Sequence, residues 1–398
     1  MPEWQRRKLG DLCTRITVGH VGSMASRYTE SGIPFLRSLN IKRGSLDLSA
    51  VKYIDETFHA ELAKSQLRAG DLAIVRTGEP GTTALIPDGL GPMNCSDLVI
   101  ASPVSDVDAR FLCYAINETA QEFVKAHTVG AVQQHFNVKS AKELELSLPP
   151  LAVQRVISEL LGALDDKITV NERIATTYER LLQCRFTELG LSDEPSLETA
   201  VSVTELVAFN PKIVKPSADE PVYVDMAALQ TRLASIPSWT RREPKSGPRF
   251  MNGDTLLARI TPCLENGKTG YVNFMEDGEV GLGSTEFIVM RSLPDVPSEL
   301  SYFLARDSRF RAHAIRNMVG TSGRQRVSAA DAANYQVNRP DPDALAAFGK
   351  EASAAFAHMK SLQAETRTLA ALRDTLLPQL MSGRLRVKDA EKIVEDAT

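Results

Sequence analysis

Between Pro149 and Phe186, seam residues recur at alternating spacings of four and three: Ile157, Leu161, Leu164, Ile168, Asn171, Ala175, Tyr178 and Leu182. That period belongs to a helix lying along another helix for its whole length. Gly162 is the one break inside the pattern, and Pro149-Pro150 stands where a helix tolerates proline, at its start. At ~1.5 Å per residue, roughly 36 residues reach about 54 Å. A seam that long needs a partner.

The chain supplies one. Leu345, Phe348, Ala352, Ala355, Met359, Leu362, Thr366 and Leu369 repeat the spacing, followed by Leu376 and Leu380. Pro340 and Pro342 precede this second helix, and Pro378 with Gly383 is expected to end it. Asn171, polar within an apolar seam, is a candidate for setting register, the alternative being a tolerated polar residue near a helix bend.

Each helix follows a segment of similar size, which raises the question of an internal duplication. Gly70-Asp71-Leu72-Ala73-Ile74-Val75-Arg76 is echoed by Gly253-Asp254-Thr255-Leu256-Leu257-Ala258-Arg259, offset by 183. Ser96-Asp97-Leu98-Val99-Ile100 is echoed by Ser284-Thr285-Glu286-Phe287-Ile288-Val289. Val129-Gly130-Ala131-Val132-Gln133-Gln134-His135 corresponds to Val319-Gly320-Thr321-Ser322-Gly323-Arg324-Gln325-Arg326, offset by 190, and Pro149 matches Pro340, offset by 191. The order never changes, so one plan is used twice.

A chain of 398 residues is too long for one ordinary core. Its 43% hydrophobic and 24% charged residues suit a globular protein. No apolar run reaches the ~18 residues of a membrane span, and the N-terminal stretch lacks the apolar core of a secretory signal. Five scattered cysteines fit reduced thiols in a cytoplasm, and no C-x-x-C pair suggests structural zinc.

The expected organisation is α+β. A mixed unit spans 1–148, a long helix 149–190, a second mixed unit 191–340, a second long helix 341–384, and a charged tail that frays 385–398. Short strands are expected at Gly32–Arg37 and Asp71–Arg76, and helices near Asp55–Leu67 and Ala109–Ala126.

Catalytic patterns are missing. Asn210-Pro211 is not followed by the second proline and aromatic of an amino-methyltransferase, and reads as a turn. The triplets Asp165-Asp166-Lys167 and Glu243-Pro244-Lys245 suit a nuclease strand badly, one lying on the heptad helix and the other holding a proline. The six histidines form no metal pair, and no phosphate-binding G-x-x-x-x-G-K-[ST] loop occurs. The chain is read as non-catalytic.

Binding is better supported. Arg306, Arg309, Arg311, Arg316, Arg324 and Arg326 face one acid, Asp307, over 21 residues, and Arg241, Arg242, Lys245 and Arg249 cluster around Trp239. Concentrated cationic surface on a chain of net charge −4 suits a phosphate track, against the alternative of a solvated helix face. In the Gly320–Arg326 loop, glycines let the backbone approach a ligand, and Arg and Gln are the side chains that read guanine and adenine. The equivalent loop offers Gln133, Gln134 and His135 instead, as two loops reading different half-sequences would.

These features resemble the specificity (S) subunit of a type I restriction-modification system over essentially the whole chain. The repeated Gly-Asp…Arg strand, the Gly-x-x-x-Gln loop at 130–134 and Leu146-Ser147-Leu148-Pro149-Pro150-Leu151-x-x-Gln154 carry the likeness. So does Leu369-x-x-Leu372-Arg373-Asp374-x-Leu376-Leu377-Pro378-x-Leu380-x-Ser382-Gly383. The second unit departs from it, with Arg339-Pro340-Asp341-Pro342 in place of the Pro-Pro-Leu-x-x-Gln string.

The resemblance implies two target recognition domains separated by two long helices that pair as an antiparallel coiled coil. Each domain would read half of a split, asymmetric target in duplex DNA. Such a subunit binds no cofactor. It recruits two modification (methyltransferase) subunits that use S-adenosylmethionine, and restriction subunits that use ATP and Mg for translocation and cleavage; no membrane is involved. The spacer seam would be Ile157, Leu161, Leu164, Ile168, Tyr178 and Leu182 against Leu345, Phe348, Met359, Leu362, Leu369 and Leu376, with the outward faces docking modification subunits. Expected DNA contacts are Arg37, Asn40, Arg76, Thr77, Gln133, Gln134 and His135 in the first domain. In the second they are Arg241, Lys245, Arg259, Lys268, Ser322, Arg324, Gln325 and Arg326. For Arg76 and Arg259 the competing expectation is an ion pair with a neighbouring acid such as the repeated Asp. The alternative for the whole chain is a coiled-coil adaptor or oligomerisation protein whose recognition domains are degenerate or bind protein.

Overall fold

The computed structural model describes residues 4–126, 136–243, 246–321 and 323–397. The chain divides into two compact units, one of residues 1–166 with 369–398, the other of 167–368.

In the first unit, Leu72–Val75 is the apolar run after the Gly70-Asp71 turn, and it is buried on both faces. It pairs antiparallel with Leu98–Pro103 on one side and Thr83–Leu85 on the other, and Cys13–Val18 completes a four-stranded sheet. A second sheet orders Lys52–Ile54, Ile33–Leu36, Met93–Cys95 and Gln66–Leu67, with one parallel pairing at its centre. The expected helix over 55–67 is cut short. Asp55 caps it by accepting from Phe58 N at 2.7 Å, but it ends at Glu61, because Gln66–Leu67 is drawn into strand pairing with Met93–Asn94. The helix Ala109–Ala126 forms where the pattern placed it.

The second unit repeats both four-stranded sheets in the same strand order, while the short hairpin Ile41–Lys42 with Ser45–Leu46 has no counterpart among its described strands. Its sheets run Val207–Phe209, Phe287–Ser292, Thr255–Ala258, Thr269–Tyr271, and Thr240–Arg241, Val222–Val224, Gly281–Gly283, Arg249–Phe250. The second sheet again holds one parallel pairing. Alternation of side chains along Thr255–Ala258 sends Leu256 into one core with Phe250 and Phe287, and Leu257 into another with Phe303 and Phe348. At ~25 cal/mol per Å² of apolar surface, each fully buried Leu or Phe contributes about 1.5–3 kcal/mol toward the ordering cost of the chain.

The repeated Asp keeps one role in both copies through different partners. Asp71 and Asp254 accept from the backbone of Arg68 and Met251, closing the turn before the strand. Asp71 then binds Arg15 at 2.7 Å, with Ser102 across the strand pair, whereas Asp254 binds Arg291 at 2.6 and 2.8 Å, with Ala208 across. The cation has changed strands, but the carboxylate is matched both times.

The long helices are Leu151–Glu188 and Pro342–Met381. In the second unit, Asn171 donates to Glu365 at 2.8 Å, Tyr178 meets His358 at 3.1 Å, and Arg185 meets Glu351 at 3.3 Å. Numbers rise on one helix as they fall on the other, so the pair is antiparallel. In the first unit Arg373 binds Asp165 at 2.8 Å. Ile157, Leu161, Leu164, Leu182, Leu345, Phe348, Leu362, Leu369 and Leu376 are buried, and Tyr178 and Met359 half-buried against the core. Gly162 has a local reason: Arg110 lies over it, donates to its carbonyl at 3.2 Å, and would clash with an added Cβ at 2.5 Å. Pro378 does not stop the second helix. In its last turn proline removes one backbone donor, and the chain leaves the helix only before Gly383, at φ 70°. The charged tail, expected to fray, forms a helix over Val387–Ala397 with Ala390 wholly buried.

Candidate nucleic-acid interface

In both units one loop returns to the end of the central strand. Phe136 N donates to Arg76 O at 3.0 Å, and Val327 N donates to Arg259 O at 3.0 Å. The residue that leaves the loop is therefore tied to the strand-end arginine in each repeat. Gln133, Gln134 and His135, and likewise Ser322 and Lys245, lie outside the described residues.

The second loop is a closed hairpin. Val319 and Arg326 exchange backbone hydrogen bonds at 2.9 Å in both directions, and Gly320 and Gly323 take positive φ at its bends. Thr261 fastens it to the strand end, its N–H donating to Gln325 O at 3.0 Å and its hydroxyl accepting from Gln325 N at 3.1 Å. Arg324 stands exposed near the tip, and its guanidinium makes no hydrogen bond among the described residues. Gln325 is half-buried with its backbone already bound.

The strand-end arginines have different fates. Arg76 Nη1 lies 2.6 Å from Asp97, and Thr77 donates to the other oxygen of the same carboxylate at 3.0 Å. The competing expectation of an ion pair is met, but by Asp97 rather than by the repeated Asp71. In the second unit the counterpart acid, Glu286, is bound at both oxygens by Arg326. That hydrogen bonding holds the Glu286 carboxyl below its ordinary value, and the nearby charge of Arg259 adds to the effect. Arg259 is left with no carboxylate bond, its Nε buried and without a partner.

Several residues expected to contact DNA have partners within the fold. Asn40 is buried, its amide accepting from Arg37 N at 3.0 Å and donating to Asp47 O at 2.9 Å. Arg37 donates to Ala50 O at 3.0 Å. Lys268 donates to Met226 O at 2.8 Å, and Arg241 pairs with Glu279 at 2.8 Å. The arginine-rich stretch is not an open cationic track. Arg306 donates to Thr231 O at 3.1 Å, Arg311 to Glu265 O at 2.7 Å, and Arg309 to Asp193 O. These side chains satisfy loop carbonyls that would otherwise lack partners. Around Trp239 the cations also have local uses. Arg367 lies 4.9 Å from its ring, Arg242 stands 3.2 Å from the Tyr223 ring, and Trp239 itself stacks on Phe274 at 4.1 Å.

No group of acids, histidines and cysteines among the described residues could hold a metal ion. No described helix is long and apolar enough to cross a membrane.

The arrangement is a repeated scaffold in which the residue following a loop is hydrogen-bonded to a strand-end arginine. Residues 1–180 match the family described as Type I restriction modification DNA specificity domain. The likeness to type I specificity subunits read from the motifs is thereby shown. The chain is 27% identical over 205 residues to the EcoEI type I restriction enzyme specificity subunit of Escherichia coli, covering 49% of this chain and 34% of that protein. It is 30% identical over 134 residues to the EcoAI specificity subunit of Escherichia coli, covering 32% of this chain and 22% of that protein. The chain thus spans about a third or less of the length of those two relatives. Its fold is that of the crystal structure of a type I restriction-modification system S subunit from M. genitalium. That match has a TM-score of 0.56 and 16% identity, and covers 95% of this chain and 96% of that one.

Proposed function

We propose that this chain is the DNA-reading subunit of a type I restriction-modification complex, with each unit recognising one half of a split target in duplex DNA. One observation carries the reading: in both repeats a loop of different sequence ends hydrogen-bonded to the strand-end arginine, at Phe136–Arg76 and at Val327–Arg259. A shared frame with unlike tips is what two different half-sequences require, since base choice depends on which side chains reach the groove edges. The paired helices separate the two recognition segments along the chain, and their outward faces would dock two methyltransferase subunits. Catalysis would rest with those partners, using S-adenosylmethionine, and with ATP- and Mg-dependent restriction subunits.

The test is genome-wide mapping of methylated adenine in the native host with and without this chain. Loss of one motif, two short defined halves around a fixed unread gap, is the expected result. An unchanged methylome, together with failure to co-purify with a methyltransferase subunit, would favour a coiled-coil adaptor instead.

A further inference from the structure

The Asn210-Pro211 turn carries no catalytic motif, yet it walls a cavity of about 740 Å³ in the second unit. Three cations line that cavity, Lys212, Arg249 and Arg259, and none of its lining residues is acidic.

The wall is built rather than incidental. Asn210 holds a left-handed backbone, φ 48°, because Val289 ties it on both sides: Asn210 N donates to Val289 O at 2.7 Å, and its side-chain oxygen accepts from Val289 N at 2.9 Å. Arg249 Nη1 donates to Ile213 O at 2.5 Å and pins the turn across the opening. On the opposite side Gly247 presses against Gly283, where an added Cβ would fall 2.1 Å from the carbonyl oxygen. A larger residue there would push the wall outward.

Arg259 gives the cavity its chemistry. Its guanidinium makes no hydrogen bond among the described residues, and its Nε is buried without a partner. Glu286 is the acid that would neutralise it by analogy with Asp97 and Arg76, but Arg326 occupies both Glu286 oxygens. A partly buried guanidinium with no hydrogen-bonding partner among the described residues, beside an exposed lysine and a second arginine, is a receptor for a tetrahedral oxyanion.

We infer that this cavity binds a phosphodiester of the DNA backbone and so fixes the second unit's register on the duplex, while Arg324 is left to read a base. The inference rests on the DNA-reading proposal above. It assigns Lys212, which the sequence pattern did not place at the interface, to phosphate, together with Arg249 of the basic cluster around Trp239. It also makes the repeats unequal, because the first unit's counterpart, Arg76, is spent on Asp97.

The experiment is fluorescence anisotropy of the full chain with its target duplex and a scrambled duplex across a potassium chloride series. The variants are Arg259→Ala, Lys212→Ala and the charge-preserving Arg259→Lys. Arg259→Ala and Lys212→Ala should each weaken both duplexes by the same factor and flatten the log–log salt slope by about 0.9. Arg259→Lys should keep the slope. At constant ionic strength, inorganic phosphate in place of chloride should weaken duplex binding by the parent chain more than by Arg259→Ala. Loss confined to the target duplex with an unchanged slope would make the cavity a base site and overturn the inference. So would unchanged duplex binding in both alanine variants, including the case where inorganic phosphate still stabilises the parent chain, which would mark a site for a free anion. If the parent chain itself shows no salt-dependent binding, the DNA-reading proposal fails first. Lys212 is exposed and has no hydrogen-bonding or ion-pair partner among the described residues, so its variant decides the matter even where Arg259→Ala disturbs folding.

Discussion

Arg326 grips Glu286 through both carboxylate oxygens, Nε lying 2.8 Å from one and Nη2 2.8 Å from the other. The equivalent acid of the first unit, Asp97, is gripped from the strand end by Arg76. One acid has kept its place in the repeat while its partner moved from strand to loop, and that exchange leaves Arg259 available. Arg326, expected to contact DNA, is committed to shaping the loop that presents Arg324.

The Glu286 carboxyl, held below its ordinary value by Arg326, contributes stability at pH above the normal glutamate range. That contribution is lost as pH falls through the depressed value, because the unfolded chain takes up the proton first. Arg326→Ala should return the titration of Glu286 toward the ordinary value, read by carbon-detected NMR. The stability gap between variant and parent should close on acidification; a gap that persists at low pH would show that the pair contributes packing rather than charge.

Glu179 shows the opposite sign. Burial raises its carboxyl, although Ala234 N and the Tyr302 hydroxyl, at 2.8 Å, donate to it. A raised carboxyl favours the folded state when protonated, and that favour is lost as pH rises through the raised value. Glu179→Gln should therefore melt at higher temperature than the parent near pH 8, with the difference vanishing near pH 4. Equal melting curves at all pH values would contradict the assignment.

Phe303 is 1% exposed and meets Phe186, Phe348 and Phe356 at ring separations of 5.8 to 6.3 Å. Phe303→Ala should cost about 3–5 kcal/mol, since a cavity that size cannot collapse between a helix pair and a sheet. Chemical denaturation of the full chain measures it, and a loss under about 1 kcal/mol would mean that the site repacks.

Arg324→Ala should weaken binding to duplexes carrying one intact half-site by about 1–3 kcal/mol and leave the other half-site's contribution unchanged. Titration against duplexes altered in each half separates the two. Equal loss on every duplex, with a flatter salt slope, would turn Arg324 into a backbone contact.

The duplication was legible because a repeated strand must keep its apolar run and its turn: Gly70-Asp71 and Gly253-Asp254 recur where the chain needs a positive φ and a capping carboxylate. The helix pair was legible because a seam of alternating four and three has one stable use. Less legible were the short helix at Glu56–Glu61 and the passage of the second helix through Pro378. Each depended on a long-range pairing or on how much of a last turn one missing donor can disrupt.

At the candidate interface, residue type alone did not show which groups each side chain meets within the fold. Asn40, Lys268 and Arg241 carry the groups that read DNA, yet Asn40 and Lys268 serve a neighbouring carbonyl and Arg241 a carboxylate. The sequence by itself determined the period of the helices, the order of the repeat and the position of the two variable loops, because those are local patterns of spacing and turn chemistry. Only the tertiary structure decided which arginine each acid neutralises. Asp71 reaches Arg15 across 56 residues, and Glu286 reaches Arg326 across 40. Electrostatic pairing is settled by distance in space, and chain separation does not encode it.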